Sequence, residues 1–384
     1  MSGSRELRAR LEGLLGIPFA DGNRVSALRN GREIFPAMLE AIRGAESTVE
    51  LVTFVYWTGD IAKKMAEALA GRARAGVDVR LVLDAFGASP MSRELIGEME
   101  EAGVEIRWFR PLGTWKIWQS GHRTHRKVLV VDRRVGFTGG VGIAAEWEGD
   151  ARNPSEWRDT HFRIEGPAVR GVRAAFFSNW AEADRSALRG TIDSEPLAAM
   201  GDAAIQVVRG TACFGWSDIA TTMDALIALA ERRIRIQTAY FAPGEDWVDA
   251  FRRSIARGVE VEVMIPGPHT DKRVSELAGA DGIRALLEAG ARLFRYQPTM
   301  LHTKVMLVDD EIACIGSANF NQRSILKDDE LVLVVIDRGL AGILDKHWSD
   351  DLERCEETTL RMFESRGPIR RLREWVARPV RSNV

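Results

Sequence analysis

One eight-residue pattern occurs twice in this chain. His125-Arg-Lys127-Val-Leu-Val-Val-Asp132 and His302-Thr-Lys304-Val-Met-Leu-Val-Asp309 share the form H-x-K-x4-D. Seven residues past each Asp a turn of small residues begins, Gly139-Gly140-Val-Gly142 in one copy and Gly316-Ser317-Ala-Asn319 in the other. The copies stand 177 residues apart at the His and again at the first Gly of the turn. A single match would be weak evidence of anything, but two in register, each with its own turn, are a strong signal. Such a chain must provide equivalent supports for both segments, which means folding the same way twice.

The flanking sequence repeats as well. Helical periodicity over 32–45, 60–75 and 91–102 alternates with β-branched and aromatic runs at Thr48–Tyr56, Val77–Leu83 and Val104–Phe109. Helices over 218–231, 245–257 and 273–289 alternate in the same order with Ile234–Phe241, Val259–Ile265 and Arg292–Tyr296. Ala75-Gly-Val-Asp-Val matches Arg257-Gly-Val-Glu-Val, and Glu101-Ala-Gly-Val matches Glu288-Ala-Gly-Ala. Alternation of this kind implies parallel strands joined by helical crossovers. The H-x-K segments follow on the next strands, Lys127–Val131 and Lys304–Val308, whose continuous apolar runs suit burial on both faces. The expected organisation is an N-terminal arm 1–30, a first half 31–198, a second half 199–360 and a basic tail 361–384.

At 384 residues the chain is long enough for two such units, and 45% apolar with 28% charged residues is a globular composition. A formal net charge of −2 gives no global attraction to nucleic acid. Cys213, Cys314 and Cys355 are scattered and odd in number, which fits a reducing compartment, and Cys314 reads as a small buried hydrophobe. The sequence has neither a membrane-spanning apolar run nor a signal-peptide core, so any membrane contact is expected to be peripheral. Leu7, Leu11, Leu14 and Leu15 mark one face of a helix over 4–16 that either packs on the body, the favoured reading, or forms a surface-seeking arm. Residues 366–384 carry six Arg against one Glu, with Ile369, Leu372, Trp375 and Val376 at helical spacing, an end suited equally to a membrane surface or to solvent. Trp115 and Trp118, in the link before the first motif, either present aromatic surface near the site or close the core between the halves.

The chemistry follows from the residue types. Two of the six His in the chain sit in the matched positions, each two residues from a Lys. Along a strand, residues i and i+2 share a face, so each His and its Lys point the same way. If the halves pack about a pseudo-two-fold axis, two imidazoles and two ammonium groups meet in one cleft. Imidazoles titrating near neutrality can attack and move protons. The ammonium groups, the Ser317 hydroxyl and the Asn319 amide can bind phosphate oxygens. That set suits phosphoryl transfer through a covalent His intermediate with no metal and no cofactor. A Lys beside each His repels a cation, which argues against metal ligation.

The paired segments resemble the H-x-K-x4-D motifs of the phospholipase D superfamily and, more closely, those of bacterial cardiolipin synthases. Trp157-Arg158-Asp159-Thr-His-Phe-Arg-Ile-Glu-Gly166-Pro167-Ala168-Val169 is similar to the signature of that group's first half. Gly316-Ser-Ala-Asn319-Phe-Asn-Gln-Arg323-Ser324, with Glu330 beyond it, is similar to the second. The resemblance spans roughly residues 30 to 360. It implies that Asp159 orients His302 and that Glu330 orients His125, each acid serving the His of the opposite half. It also implies that His125 is the nucleophile and His302 the acid and base. Lys127, Lys304, Ser317, Asn319 and Gly140 would hold the phosphate, while Asp132 and Asp309 serve structural hydrogen bonding. The chain departs from the group's pattern at Gly142, where Asn is usual, at Asn321 in place of Asp, and at Lys327-Asp328 in place of Leu-Asn. The membrane helices that often precede the group's catalytic part have no counterpart among these residues.

The expected fold is therefore α/β: two duplicated phospholipase D-like α/β/α sandwich halves about a pseudo-two-fold axis, with the active site at their interface. The expected function is a phosphatidyltransferase of cardiolipin synthase type that acts on an anionic phospholipid such as phosphatidylglycerol. It would work on the inner face of the cell membrane as a peripheral cytoplasmic protein, with no nucleic-acid partner. A phospholipase D hydrolase is the nearest alternative, because only the acceptor differs. A nuclease and a non-catalytic lipid-binding protein are the further ones.

Overall fold

The structure is a computed structural model that describes residues 2–111, 121–184, 196–211, 217–271 and 273–365. The first half begins with α1 (Ser2–Leu15), β1 (Ala20–Arg29), α2 (Asn30–Arg43), β2 (Thr48–Thr53), α3 (Asp60–Arg74), β3 (Asp78–Asp84), α4 (Arg93–Glu101) and β4 (Glu105–Phe109). It closes with β5 (Val128–Val131), β6 (Val135–Gly139), β7 (Thr160–Glu165) and α5 (Val169–Ala183). The second half opens with β8 (Ala203–Gly210), α6 (Asp218–Leu229), β9 (Arg233–Thr238), β10 (Phe241–Ala242), α7 (Glu245–Ala256), β11 (Glu260–Pro266), α8 (Arg273–Ala278), α9 (Ala280–Ala289) and β12 (Arg292–Tyr296). It ends with β13 (Lys304–Val308), β14 (Ile312–Gly316), β15 (Phe320–Asn321), α10 (Gln322–Leu326), β16 (Glu330–Ile336), α11 (Arg338–Leu352), β17 (Cys355–Glu357) and α12 (Leu360–Glu364).

Fifteen strands form one sheet in the order β17-β12-β11-β9-β13-β14-β16-β8-β1-β7-β6-β5-β2-β3-β4. Apart from the added β17, this order is a palindrome about the β8–β1 seam, where the two strands pair antiparallel. Each strand of the first half therefore has a counterpart in the second at the mirrored place, which is the pattern a pseudo-two-fold axis produces. The duplicated α/β architecture expected from the sequence is the one observed.

The apolar runs explain why the sheet is buried on both faces. Val128 and Val130 of β5 pack with Val305 and Leu307 of β13 in a core that also holds Phe176 of α5 and Leu344 of α11, so this layer is shared by both halves. Leu129 and Val131 face the opposite way into a core under α2 and α3. Met306 and Val308 do the same under α6 and α7. Side chains alternate along a strand, and both sets are apolar because both faces are covered.

Several expectations need correction. The parallel crossovers hold for β2-β3-β4 and β9-β11-β12, but β5, β6 and β7 and their counterparts run antiparallel, so the sheet is mixed. Residues 1–30 do not stand off as an arm, because β1 lies in the middle of the sheet between β8 and β7. Leu7 and Leu11 of α1 are buried in the core beneath α6. Leu14, expected on the same face, is 60% exposed. The single helix over 273–289 is broken at Gly279, where a Cβ would stand 2.3 Å from the Phe241 carbonyl oxygen; the close pass of β10 requires the gap. The link with Trp115 and Trp118, the basic tail 366–384 and Cys213 lie outside the described residues.

Candidate active site

Both H-x-K segments end in the same turn. Asp132 and Arg133 adopt positive φ, as do Asp309 and Asp310, closing the β5–β6 and β13–β14 hairpins. Asp132 accepts backbone N–H bonds from Glu46, Ser47 and Thr48 at 2.7–2.9 Å. Asp309 accepts those of Glu231, Arg232 and Arg233 at 2.7–3.0 Å. Each Asp thereby ties its hairpin to the start of the neighbouring strand, β2 or β9, at the end of the hairpin away from the His.

The His residues sit at the other end, just before or at the start of β5 and β13. Backbone geometry crosses the halves there. The N–H of His125 donates to the Asp329 carbonyl at 2.9 Å, and the N–H of His302 donates to the Arg158 carbonyl at 2.7 Å. Asp329 and Arg158 immediately precede the two acids. The side chains follow the backbone. Nδ1 of His125 lies 2.9 Å from Glu330 Oε1, and Nδ1 of His302 lies 2.8 Å from Asp159 Oδ2. Each ring N–H donates to a carboxylate carried by the other half, which leaves Nε2 for chemistry.

Lys127 Nζ donates back to the His125 carbonyl at 2.8 Å and stands 5.6 Å from the centre of the Phe54 ring. Lys304 Nζ lies 3.0 and 3.1 Å from the two ring nitrogens of His302. His302 is 4% exposed and ringed by Trp147, Trp157 and Tyr240, whereas Phe54 meets His125 edge-on. Burial and the Lys304 charge push the His302 pKa down to about 3, against the pull of Asp159. Burial, with help from Lys127, lowers Lys304 to about 7. Burial would raise Asp159, but the His302 bond, the nearby cations and Trp147 outweigh it and hold the carboxyl below its ordinary range. Burial raises Glu330, and Lys127 with the hydroxyls of Ser317 and Ser324 offsets only part of that.

Two residues expected among the phosphate ligands are placed otherwise. Ser317 is fully buried, and its hydroxyl donates to Glu330 Oε2 while accepting from the Leu331 N–H at 3.0 Å. Gly140, its counterpart, leaves room for Asp159, whose Oδ1 would lie 2.4 Å from a Cβ at that position. Asn319, 3% exposed, stands in its turn beside Thr238. Its counterpart Gly142 is closed in by Val55 and Trp147, so a Cβ there would come within 2.7 Å of Val55. An amide therefore does not fit in the first half.

Sequence reasoning missed the supports. Trp147 Nε1 donates to Asp159 Oδ2 at 3.0 Å. Arg126, the variable residue of the first motif, is fully buried and donates to the Glu330 carbonyl at 3.1 Å. Arg158 grips Asp351 of α11 through Nε at 3.0 and 3.1 Å, and Arg29 and Gln237 reach the same carboxylate. A buried charge needs such a partner, but nothing in the sequence says which one it takes. Among the described residues no group of three or more His, Cys, Asp or Glu is arranged to hold a metal ion.

A family model described as cardiolipin synthase, PLD-like domain matches residues 38–146 and 223–352, one block in each half. The chain belongs to that family. Cardiolipin synthase A of Pseudomonas aeruginosa is 32% identical over 379 residues, covering 97% of this chain and 75% of its own. Cardiolipin synthase 1 of Bacillus anthracis is 30% identical over 370 residues, covering 94% and 72%. A solved phosphatidylserine synthase of Haemophilus influenzae Rd KW20 superposes with a TM-score of 0.77 over 99% of this chain and 100% of its own, at 13% identity, a likeness of fold. Membership of the cardiolipin synthase, PLD-like family makes the chain an enzyme and gives the two crossed His–acid pairs a chemical context.

Proposed function

We propose that the protein is a phosphatidyltransferase of cardiolipin synthase type, working through a phosphohistidine. The observation that carries this reading is the crossed pairing, His125 with Glu330 and His302 with Asp159, each spanning the halves. Nε2 of His125 attacks the phosphorus of a phospholipid such as phosphatidylglycerol as the P–O bond to the departing alcohol breaks. The leaving oxygen takes a proton from the His302–Lys304 pair. The burial that keeps His302 neutral also lowers Lys304 to about 7, so near neutrality the exchangeable proton rests on the ammonium against the ring. The hydroxyl of an acceptor lipid then returns a proton to the pair as its oxygen displaces the imidazole and the P–N bond breaks. Lys127, Lys304 and Asn319 meet the phosphate oxygens, Ser317 holds Glu330, and a metal is not required.

A two-chain lipid substrate also needs a surface. No helix among the described residues is long and apolar enough to cross a membrane. The loop after β3 carries Phe86 at 60% exposure, and α8, which follows the equivalent strand β11, carries Val274 at 47%. The loop rests on Phe54, which packs on His125, and Trp57 donates to its Gly87 carbonyl at 2.6 Å. Both segments stand beside the site, so a peripheral contact there would present lipid to it.

Denaturation in alkaline detergent during turnover of phosphatidylglycerol, followed by peptide mapping at alkaline pH where the P–N bond survives, tests the mechanism. Phosphatidyl label on His125 is the expected result. Label on His302 would reverse the two roles, and rapid turnover by a His125→Ala variant would remove the covalent step altogether. A product that is phosphatidic acid alone would make the protein the hydrolase instead.

A further inference from the structure

Tyr240 and Asp271 lie at the edge of the site and have no part in the mechanism above. The Tyr240 hydroxyl lies 2.9 and 2.8 Å from the two carboxylate oxygens of Asp271. The Tyr240 ring stands edge-on to His302 at 6.4 Å between centres. Tyr240 is 7% exposed, whereas Asp271 is open to solvent. The phenol has one proton, so it satisfies one carboxylate oxygen at a time. A carboxylate offers about four lone-pair sites, so the single phenol proton leaves acceptor capacity on the exposed Asp271.

An exposed carboxylate is a poor neighbour for an anionic phosphodiester, because like charges repel. It is a good acceptor for neutral hydroxyl groups. Its partner Tyr240 stands against His302, which places Asp271 on the His302 side, where the departing and incoming alcohols exchange protons. An alcohol carrying an ammonium group would meet opposed effects, attraction to Asp271 and repulsion from Lys304, whereas a polyol needs only the acceptor oxygens of Asp271.

We infer that Asp271, aimed by Tyr240, is a specificity-determining residue that accepts a hydrogen bond from a non-reacting hydroxyl of a polyol headgroup. A vicinal diol such as glycerol would place one oxygen at the phosphorus and a second within reach of the carboxylate. This inference rests on the phosphatidyltransferase reading and names the acceptor class that the same site selects.

The purified 384-residue chain acting on phosphatidylglycerol vesicles, with deuterated glycerol, 1-propanol and ethanolamine competing as acceptors, tests it by mass spectrometry of the products. Wild type is expected to favour glycerol over both rivals. Asp271→Asn should lower the glycerol-to-propanol product ratio about tenfold, as expected for losing a hydrogen bond to a charged group. Tyr240→Phe, which frees the carboxylate from its guide, should lower the ratio by a smaller factor. An unchanged ratio in both variants, or a wild-type preference for ethanolamine, would overturn the assignment. Equal losses for every acceptor in Asp271→Asn would reduce Asp271 to a support for Tyr240 and also overturn it. If wild type makes only phosphatidic acid with every alcohol, the transferase reading fails and this one with it.

Discussion

The residues of the site divide between those that carry the motif and those that make it work. His125, Lys127, His302 and Lys304 were legible because they repeat. Asp159 and Glu330 became legible only through family resemblance, since a single carboxylate in a strand-forming stretch has no local signature. Gly140 and Ser317 show where spacing misleads: they sit in equivalent turns, yet one clears space for a short acid and the other holds a longer one. The electrostatics of Lys304 lead to a pH prediction. Its pKa near 7 means the ammonium is protonated below that pH and neutral above it. Because the first step uses that proton, kcat/KM should fall as pH rises through about 7. A guanidinium stays protonated throughout this range, so Lys304→Arg should be slower but lack this alkaline limb. A wild-type profile still flat up to pH 9 would remove Lys304 from the proton path.

Among the elements, strands were easier to read than their partners. The apolar runs of β5 and β13 announce burial on both faces, but not that each strand lies antiparallel to its neighbours, because orientation is set by short connections and by the opposite half. The helix break at Gly279 was hidden for a similar reason: a glycine in a helical pattern is tolerated, and only the distant β10 explains it. The segments after β3 and β11 gave no sequence signal, since isolated exposed apolar residues are ordinary. Their meaning comes from flanking one site on equivalent strands. If those segments touch lipid, Phe86→Ser and Val274→Ser together should weaken sedimentation with anionic vesicles several-fold. Turnover of a short-chain, monomeric phospholipid should change far less. Undiminished vesicle binding by the double variant would place the membrane contact elsewhere.

For the whole molecule, duplication is the fact most visible in the sequence, and the joining of the halves is the least visible. The β8–β1 seam, the shared core under α5 and α11 and the Arg158–Asp351 bond bind the halves through residues whose partners lie far away in sequence. Active-site assembly is therefore inseparable from folding of the full sheet, and groups buried by that assembly should register in stability. Burial lowers His161 to about 4, His302 to about 3 and His347 to about 4. An unfolded imidazole takes up its proton near pH 6.5, whereas these folded ones resist until much lower pH. Their stabilising effect is complete above about pH 6.5 and is lost as pH falls toward 4. Glu50 and Glu330, raised by burial, act in the opposite sense, so the net curve mixes signs. His161 isolates the effect, because it is fully buried on β7 and outside the proposed chemistry. Its share is on the order of 2–3 kcal/mol between pH 6.5 and 4. Thermal unfolding of wild type and His161→Gln across that window should show the variant losing Tm less steeply on acidification. Parallel curves for the two proteins would mean that His161 takes up its proton as readily folded as unfolded, and that water reaches β7 where the structure closes it.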